Sequence, residues 1–354
     1  MITNPFTAIH LQQFRSYDDF GVELTEGVNI VVGPNASGKT NLLESLLITC
    51  GICSYRANYI ETIQNGAEWA KIDANFLNGN RIVKLTKNNY LVDRLYEINQ
   101  KPKKRLNFYD IIPVILFEPD HLRLLTGSPD IRRDFFDAIL IETDSEFITN
   151  KQKYKRTLAQ RNHLLKNNPL NINDQIFAWN IRLAELAGKV VQARINLIEE
   201  INKQLSNIYG EIAQKPTDVK LKYLSDINTT RYESSLLHKL ESNLEKDLNR
   251  GFTTYGPHRE DVEVLIKNKP ANFIASRGET RTLVLSLKLI ELKLIELIRD
   301  QKPLILLDDV FSELDGARRR SLTQYLNGYQ TIITTTDADI IQKQFIQNTN
   351  LISL

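Results

Sequence analysis

Cysteine is nearly missing from this 354-residue chain: Cys50 and Cys53 are the only two, and they form a single C-x-x-C. A structural zinc needs four ligands, and no second Cys or His pair stands at a suitable spacing, which excludes a zinc-stapled fold. A redox pair is the alternative; the two are otherwise small residues filling a contact between a helix end and the core, with no function assigned. Long apolar runs are also missing. Ile111 to Phe117, one of the longest and broken by Pro113, is far too short to span a bilayer, so no membrane partner is expected. The N-terminus has neither the charged head nor the apolar core of a signal peptide, and a cytoplasmic location is expected. Nor does one charge dominate: the net charge is +2, so any nucleic-acid surface must be a local patch. Repeats and low-complexity segments are absent, and Asn167 to Asp174 and Lys215 to Asp218 read as loops too short to be interdomain linkers. What remains is an ordinary globular composition, long enough for two lobes.

One loop stands out against that background. Val28 to Val32 is a β-branched run of strand length, Asn41 to Ile48 has helical character, and Gly33-Pro34-Asn35-Ala36-Ser37-Gly38-Lys39-Thr40 lies between them. This is the G-x-x-x-x-G-K-T phosphate loop in its required strand–loop–helix setting. Gly33 and Gly38 let successive backbone N–H groups turn inward toward phosphate oxygens, and the helix N-terminus adds partial positive charge. Lys39 would reach the β- and γ-phosphates, serving no packing role, and the Thr40 hydroxyl would ligate Mg²⁺.

The second stretch is Pro303-Leu304-Ile305-Leu306-Leu307-Asp308-Asp309, continuing to Leu314-Asp315. A buried strand here delivers Asp308 to its C-terminal edge, where open α/β sheets bind ligands. Asp308 could hold Mg²⁺ opposite Thr40, and Asp309 could polarise an attacking water as the catalytic base. Either acid could instead simply cap a turn. Thr40 and Asp308 lie 268 positions apart, so something large is inserted between the two halves of the site.

Before that strand, Ser276-Arg277-Gly278-Glu279 opens an apolar helix. Leu283, Leu287, Ile290, Leu294 and Leu297 recur at helical spacing, and Leu285, Leu289 and Ile298 widen the face expected to be buried. Ser276 and Glu279 have capping-box spacing, and the same helix end, with Gly278 allowing close approach, could bind an anion. The order of these motifs resembles that of ABC-type ATPases, in which Ser276 to Glu279 would be the signature and Asp315 the D-loop acid. The resemblance implies an ATP-dependent homodimer, each signature closing over the nucleotide held by the other copy.

Three further stretches are similar to the RecF family within that class. They are Leu11-Gln12-Gln13-Phe14-Arg15-Ser16-Tyr17, the segment from Leu116 to Asp137, and the box Tyr255-Gly256-Pro257-His258-Arg259-Glu260-Asp261. The span from Thr40 to Ser276 is too short for the coiled coils of structural-maintenance proteins and longer than the insert of transporter ATPases. Two alternative readings stand beside the RecF resemblance: the ATP-driving subunit of a membrane transporter, and an overcoming-lysogenization-type nuclease, which would need a further acidic metal domain for which the chain has no room.

The resemblance implies an α/β fold: an ABC-type ATPase head split between residues about 1–124 and 300–354, with a mainly helical second lobe, about 125–299, inserted, and no long coiled coil. It implies ATP and Mg²⁺ as cofactors, weak DNA-linked ATPase activity, and nucleotide contacts from Arg15 and from Gly33 through Asn41. It also implies duplex DNA near single-strand gaps as partner, with RecO and RecR. Two departures stand out. Glu279 occupies a position where the family often has Gln, and Thr335 and Thr336 stand where many ABC-type ATPases place a switch histidine. A hydroxyl can bond a γ-phosphate but carries protons poorly, so slow hydrolysis is expected.

A helix is predicted over Lys151 to Lys166, with Lys151, Lys153, Lys155, Arg156, Arg161 and Lys166 and no acid; Tyr154, Leu158 and Leu165 give it an apolar side. It is either a solvated basic face or a contact to the DNA backbone. Lys101 to Arg105 reads as a basic loop, and Arg318-Arg319-Arg320 follows the D-loop acid.

Overall fold

A computed structural model of the protein describes residues 4–52, 59–89, 91–167, 172–337 and 349–354. Cys53 and part of the expected loop at 167–174 lie outside them. The chain forms two compact units, Met1–His121 with Glu291–Leu354, and Leu122–Ile290.

The first unit is built on two sheets. Five parallel strands run in the order Thr349–Ser353, Val28–Val32, Thr331–Thr335, Leu304–Asp308 and Val114–Phe117. The inner strands VNIVV, TIITT and LILLD are near-continuous apolar or β-branched runs, as expected of a parallel sheet covered on both faces. Six antiparallel strands form the other sheet, in the order Tyr17–Glu23, Phe6–Phe14, Trp69–Phe76, Asn80–Asn88, Leu91–Ile98 and Lys101–Lys103. Here the alternation is period two: Ala70, Ile72, Ala74 and Phe76 turn inward from one strand, Val83 and Leu85 from the next. The basic segment expected as a loop thus contributes a short edge strand at Lys101–Lys103, because its backbone pairs with Tyr96–Ile98.

The helix Lys39–Cys50 is buried almost throughout, and Leu42, Leu43, Leu46, Leu47, Ile48 and Cys50 share one core with residues of both sheets. Its C-terminus is closed by Gly51 in the left-handed region and by the buried Arg81 guanidinium, which donates to the Thr49 carbonyl at 2.8 Å.

The second unit is mainly helical. The long helix Ile172–Ala213 packs along Ser145–Asn167, and a small sheet of Val219–Leu224, Asp261–Ile266 and Lys269–Pro270 completes it. No long coiled-coil arm is present among the described residues.

The segment Tyr255 to Asp261 lies in a buried polar network in this unit. Arg194 donates to the Pro257 carbonyl at 2.7 Å and to both carboxylate oxygens of Asp137 at 2.8 and 2.9 Å. Glu260 accepts from Ser225 and Tyr232 at 2.6 Å each, and from Tyr223. Tyr154 meets His258 Nδ1 at 2.6 Å, while Arg132 grips both oxygens of Asp261 at 2.7 Å. Gly256, at φ 130°, is required here: a Cβ would stand 2.9 Å from the Tyr154 hydroxyl.

Two expectations are corrected. Arg161 is not a DNA-facing cation. It is fully buried, donating to Asn180, Asp247 and Thr253 at 2.7 Å each, because it falls on the inner side of its helix with Tyr154 and Leu165. Leu297 and Ile298 are not buried either, being 77% and 52% exposed. The buried face of Arg277–Arg299 shifts to Leu292 and Ile295, and the last turn docks through Arg299, whose guanidinium bonds the Phe108 and Ile111 carbonyls.

Arg161→Ala is expected to cost about 3–5 kcal/mol, because it strands the Asp247 carboxylate away from water. A urea melt checks this; a loss below about 1 kcal/mol, the surface ion-pair range, would contradict the buried-pair account. Burial alone would raise the Asp137 pKa, but hydrogen bonds and charge from Arg194 and Lys151 hold it below the ordinary carboxylate range. Its contribution to stability is therefore complete above that ordinary range and is lost as pH falls through the depressed value. Acid melts of Asp137→Asn are expected to show a shallower pH dependence than those of the parent.

Candidate nucleotide site

The phosphate loop leaves the end of Val28–Val32 and enters the helix Lys39–Cys50 through Gly38, at φ 104°. No side chain caps this helix, and no acid stands in its first turn. Its leading N–H groups and positive dipole end are thus not used up by the protein's own side chains, as an anion site requires. Gly33 must lack a side chain because a Cβ there would lie 2.5 Å from Ser37 Oγ. Pro34, Asn35 and Ala36 form the outer turn, with Ala36 also at positive φ.

Lys39 departs from the expectation that it has no packing role. It is buried, and its ammonium donates to the carbonyls of Gly33 and Pro34 at 2.8 Å each, tying the loop's two ends together. A phosphate would compete for that ammonium.

The two distant halves of the site meet. The Thr40 hydroxyl lies 3.1 and 3.2 Å from the two carboxylate oxygens of Asp308, which is buried at the end of Leu304–Asp308. Asp308 also accepts from Thr334 Oγ1 at 2.9 Å. A hydroxyl and a carboxylate in direct contact are the hard oxygen donors that Mg²⁺ prefers. Among the described residues no group of three or more His, Cys, Asp or Glu could form an all-protein cage. That suits Mg²⁺, which is usually held by few side chains together with substrate phosphates and water.

Asp309 takes the left-handed region, φ 56°, and its N–H reaches Thr334 Oγ1 at 3.1 Å. Its side chain makes no capping bond to the short helix Val310–Glu313 that follows. The positive φ ends the strand direction at Asp309, where the chain enters that helix.

Sequence reasoning missed what holds Arg15. The hairpin turn Arg15-Ser16-Tyr17 is fastened to the phosphate-loop helix by three contacts. Arg15 pairs with both oxygens of Glu44 at 2.7 and 2.9 Å, Asn41 donates to Ser16 Oγ at 2.9 Å, and the buried Tyr17 hydroxyl donates to the Gly38 carbonyl at 3.0 Å. Gly38, Asn41 and Glu44 are spaced by three, one face of a helix, which is the signal that could have found them. The Glu44 hydrogen bond raises the Arg15 pKa further, and burial pushes Tyr17 up to about 12. Thr334 was missed as well; its hydroxyl donates to Asp308 and accepts from the Asp309 N–H. Thr335 is buried and bonded to Asp337, and Thr336 is exposed.

Elsewhere, Ser276 and Glu279 form the reciprocal capping box, with Ser276 N to Glu279 Oε2 at 2.8 Å and Glu279 N to Ser276 Oγ at 3.2 Å. Hydrogen bonds from Ser276 hold the Glu279 carboxyl below its usual range. Arg277 is exposed and Gly278 half-buried. Asp315 caps Gly316–Leu326 through Arg318 N at 3.0 Å. Of the basic run, Lys153, Lys155 and Arg156 are exposed, while Lys151 is tied to Asp137 at 2.9 Å.

Residues 6–352 match the model of the RecF/RecN/SMC N-terminal domain family. A DNA replication and repair protein RecF from Clostridium botulinum (strain Eklund 17B / Type B) is 34% identical, over 93% of this chain and 92% of its own length. Its counterpart from Clostridium perfringens (strain SM101 / Type A) is 32% identical over 97% and 96%. This chain belongs to the RecF family. Among solved structures, the recombination mediator protein RecF bound to ATPrS, in the RecFOR pathway, superposes with a TM-score of 0.86 at 27% identity, covering 96% of this chain and 94% of that one. An SMC head bound to the C-terminal winged-helix domain of ScpA, at a TM-score of 0.55 and 16% identity, shares the fold. The ABC-type head fold that the motif order implied is thus the fold of this RecF-family chain. No described helix is long and apolar enough to cross a membrane.

Within this RecF-family site, the turn at Tyr17 and the loop at Gly38 should be mutually dependent. Tyr17→Phe removes one hydroxyl and is expected to cost about 1 kcal/mol. Gly38→Ala should cost more, because left-handed backbone penalises a side chain by about 1–2 kcal/mol and its Cβ would press on the Tyr17 hydroxyl at 2.8 Å. Denaturant melts of the two variants decide it; equal costs would mean that the turn does not press on the loop.

Proposed function

We propose that this protein is an ATP-dependent DNA-binding clamp of the RecF type, acting in DNA replication, gap repair and recombination. The observation that carries the reading is the meeting of the Thr40 hydroxyl and the buried Asp308 carboxylate beside an uncapped helix N-terminus. Gly33 through Asn41 would cradle the triphosphate, with Lys39 moving from the loop carbonyls to the phosphates and Arg15, oriented by Glu44, at the nucleotide's flank. Thr40 and Asp308 would hold Mg²⁺, and the chemistry it would supply there is neutralisation of charge that builds up during phosphoryl transfer. Asp309 would take a proton from the attacking water.

Closure would be intermolecular: Ser276 to Glu279 of one copy would cover the nucleotide of a second copy, with Asp315 at the same interface. Thr335 and Thr336 would stand in for a switch histidine, consistent with hydrolysis slow enough to serve as a timer. Duplex DNA near single-strand gaps is the proposed substrate, and Lys153, Lys155 and Arg156 are candidate backbone contacts. RecO and RecR are the proposed partners, and the cytoplasm is the proposed compartment. The ATPase-head lobe and the helical lobe would divide these tasks between nucleotide and signature.

Asp309→Asn preserves size and hydrogen-bonding shape but removes the base. It is expected to bind ATP, dimerise, and then remain closed and on DNA longer than the parent, as followed by single-turnover hydrolysis and dissociation from a gapped duplex. Parental hydrolysis, or equally fast release, would sink the timed-clamp reading.

A further inference from the structure

The strand Thr331–Thr335 reads TIITT and is buried at every position. Ile332 and Ile333 suit such a strand without further help. A buried hydroxyl costs free energy unless it is hydrogen-bonded, so each threonine there must find a partner. Thr331, at the start of the strand, donates to the Tyr329 carbonyl at 3.3 Å. Thr334, fully buried and opposite Asp308 in the sheet register, finds its partners in the nucleotide site. Its one hydroxyl proton has two acceptors in reach, Asp308 Oδ1 at 2.9 Å and the Leu307 carbonyl at 3.3 Å, and the carboxylate is both closer and charged. The same hydroxyl oxygen accepts the Asp309 N–H at 3.1 Å. The donors therefore run one way, from the Asp309 backbone through Thr334 to the Asp308 carboxylate.

Each end of that chain has something to hold. Thr40 approaches both oxygens of Asp308, at 3.1 and 3.2 Å, whereas Thr334 engages Oδ1 and so fixes the rotation of the carboxylate. Asp309 is at φ 56°, a region that a residue other than glycine keeps only where its surroundings enforce it. We propose that Thr334 is a positioning residue for nucleotide hydrolysis: through Asp308 it sets the affinity for Mg²⁺, and through the Asp309 main chain it sets the placement of the base. The inference rests on the reading of Thr40 and Asp308 as metal ligands and of Asp309 as base, and adds to them a residue that acts only through the two acids. Valine has nearly the same outline and suits an apolar strand better, so the hydroxyl is what the site uses.

The test compares the parent with Thr334→Val and Thr334→Ala, which lack the hydroxyl at two different volumes, and with Thr334→Ser, which keeps it. Thr331→Val removes a buried hydroxyl from the far end of the same strand. Calorimetry of ATP binding across a Mg²⁺ series gives the Mg²⁺ concentration for half of the metal's enhancement of affinity. Single-turnover hydrolysis at saturating Mg²⁺ and ATP, and urea melts, accompany it. In Thr334→Val and Thr334→Ala the half-point is expected to rise about ten- to a hundredfold, with ATP binding in chelator parental. Their hydrolysis should stay slower than the parent's even at saturating metal. Thr334→Ser is expected to return both readings toward the parent, and Thr331→Val to leave both unchanged whatever it does to the melt. A hydroxyl-free variant that melts early yet keeps the parental half-point or the parental saturated rate overturns the proposal and leaves Thr334 a structural role alone. So does a Thr334→Ser protein as impaired as Thr334→Val. A parent whose ATP binding does not respond to Mg²⁺ overturns the metal reading itself, and the proposal with it.

Discussion

The hydrogen bond between Thr40 and Asp308 is where the architecture converges. It joins the start of a helix to the end of a strand 268 positions later, and everything between must fold so that the two are neighbours. The parallel sheet makes this possible. Val28–Val32 and Leu304–Asp308 flank Thr331–Thr335 in register, so their C-terminal ends open at one edge of the sheet. Thr334 on the middle strand bridges the acids, bonding Asp308 through its side chain and receiving the Asp309 N–H. A site built on strand ends is held by the sheet's core, which is more precise than one built on loops alone.

The loop is stiffened from the other side by the hairpin turn. Arg15, Ser16 and Tyr17 each grip one turn of the helix Lys39–Cys50, and Lys39 folds inward on the loop carbonyls. Donors fixed in advance lose less freedom when an anion arrives, which is the thermodynamic value of preorganisation. The buried polar network of the second unit does comparable work for the segment that leads into its small sheet. Glu260 with three hydroxyl donors and Asp261 with its bidentate arginine leave that turn few alternatives.

The phosphate loop and the acid strand were legible because their chemistry is local: glycines where the backbone must bend, β-branched runs where a parallel strand is covered on both faces. The capping box at Ser276 was legible for the same reason. Arg161 was not, because a basic run looks alike whether a given cation faces water or an inner carboxylate; its partner Asp247 is 86 residues away. Leu297 and Ile298 misled because helical periodicity marks a face but not where the neighbours covering it end. The box at Tyr255 to Asp261 signalled the family without revealing that its conformation is fixed by Arg194, Tyr154 and Arg132 from distant helices. Thr334 lacked any motif, and its role depends wholly on strand order.

The claim at the centre is that Thr40 and Asp308 together form a Mg²⁺ site for bound ATP. Calorimetric titration of ATP into the parent and into Asp308→Asn, each with Mg²⁺ and with the metal chelated, tests it most directly. The account predicts that Mg²⁺ tightens ATP binding to the parent and that this enhancement disappears in Asp308→Asn, whose affinity falls to that of the chelated parent. An Asp308→Asn protein that keeps the full Mg²⁺ enhancement would contradict it.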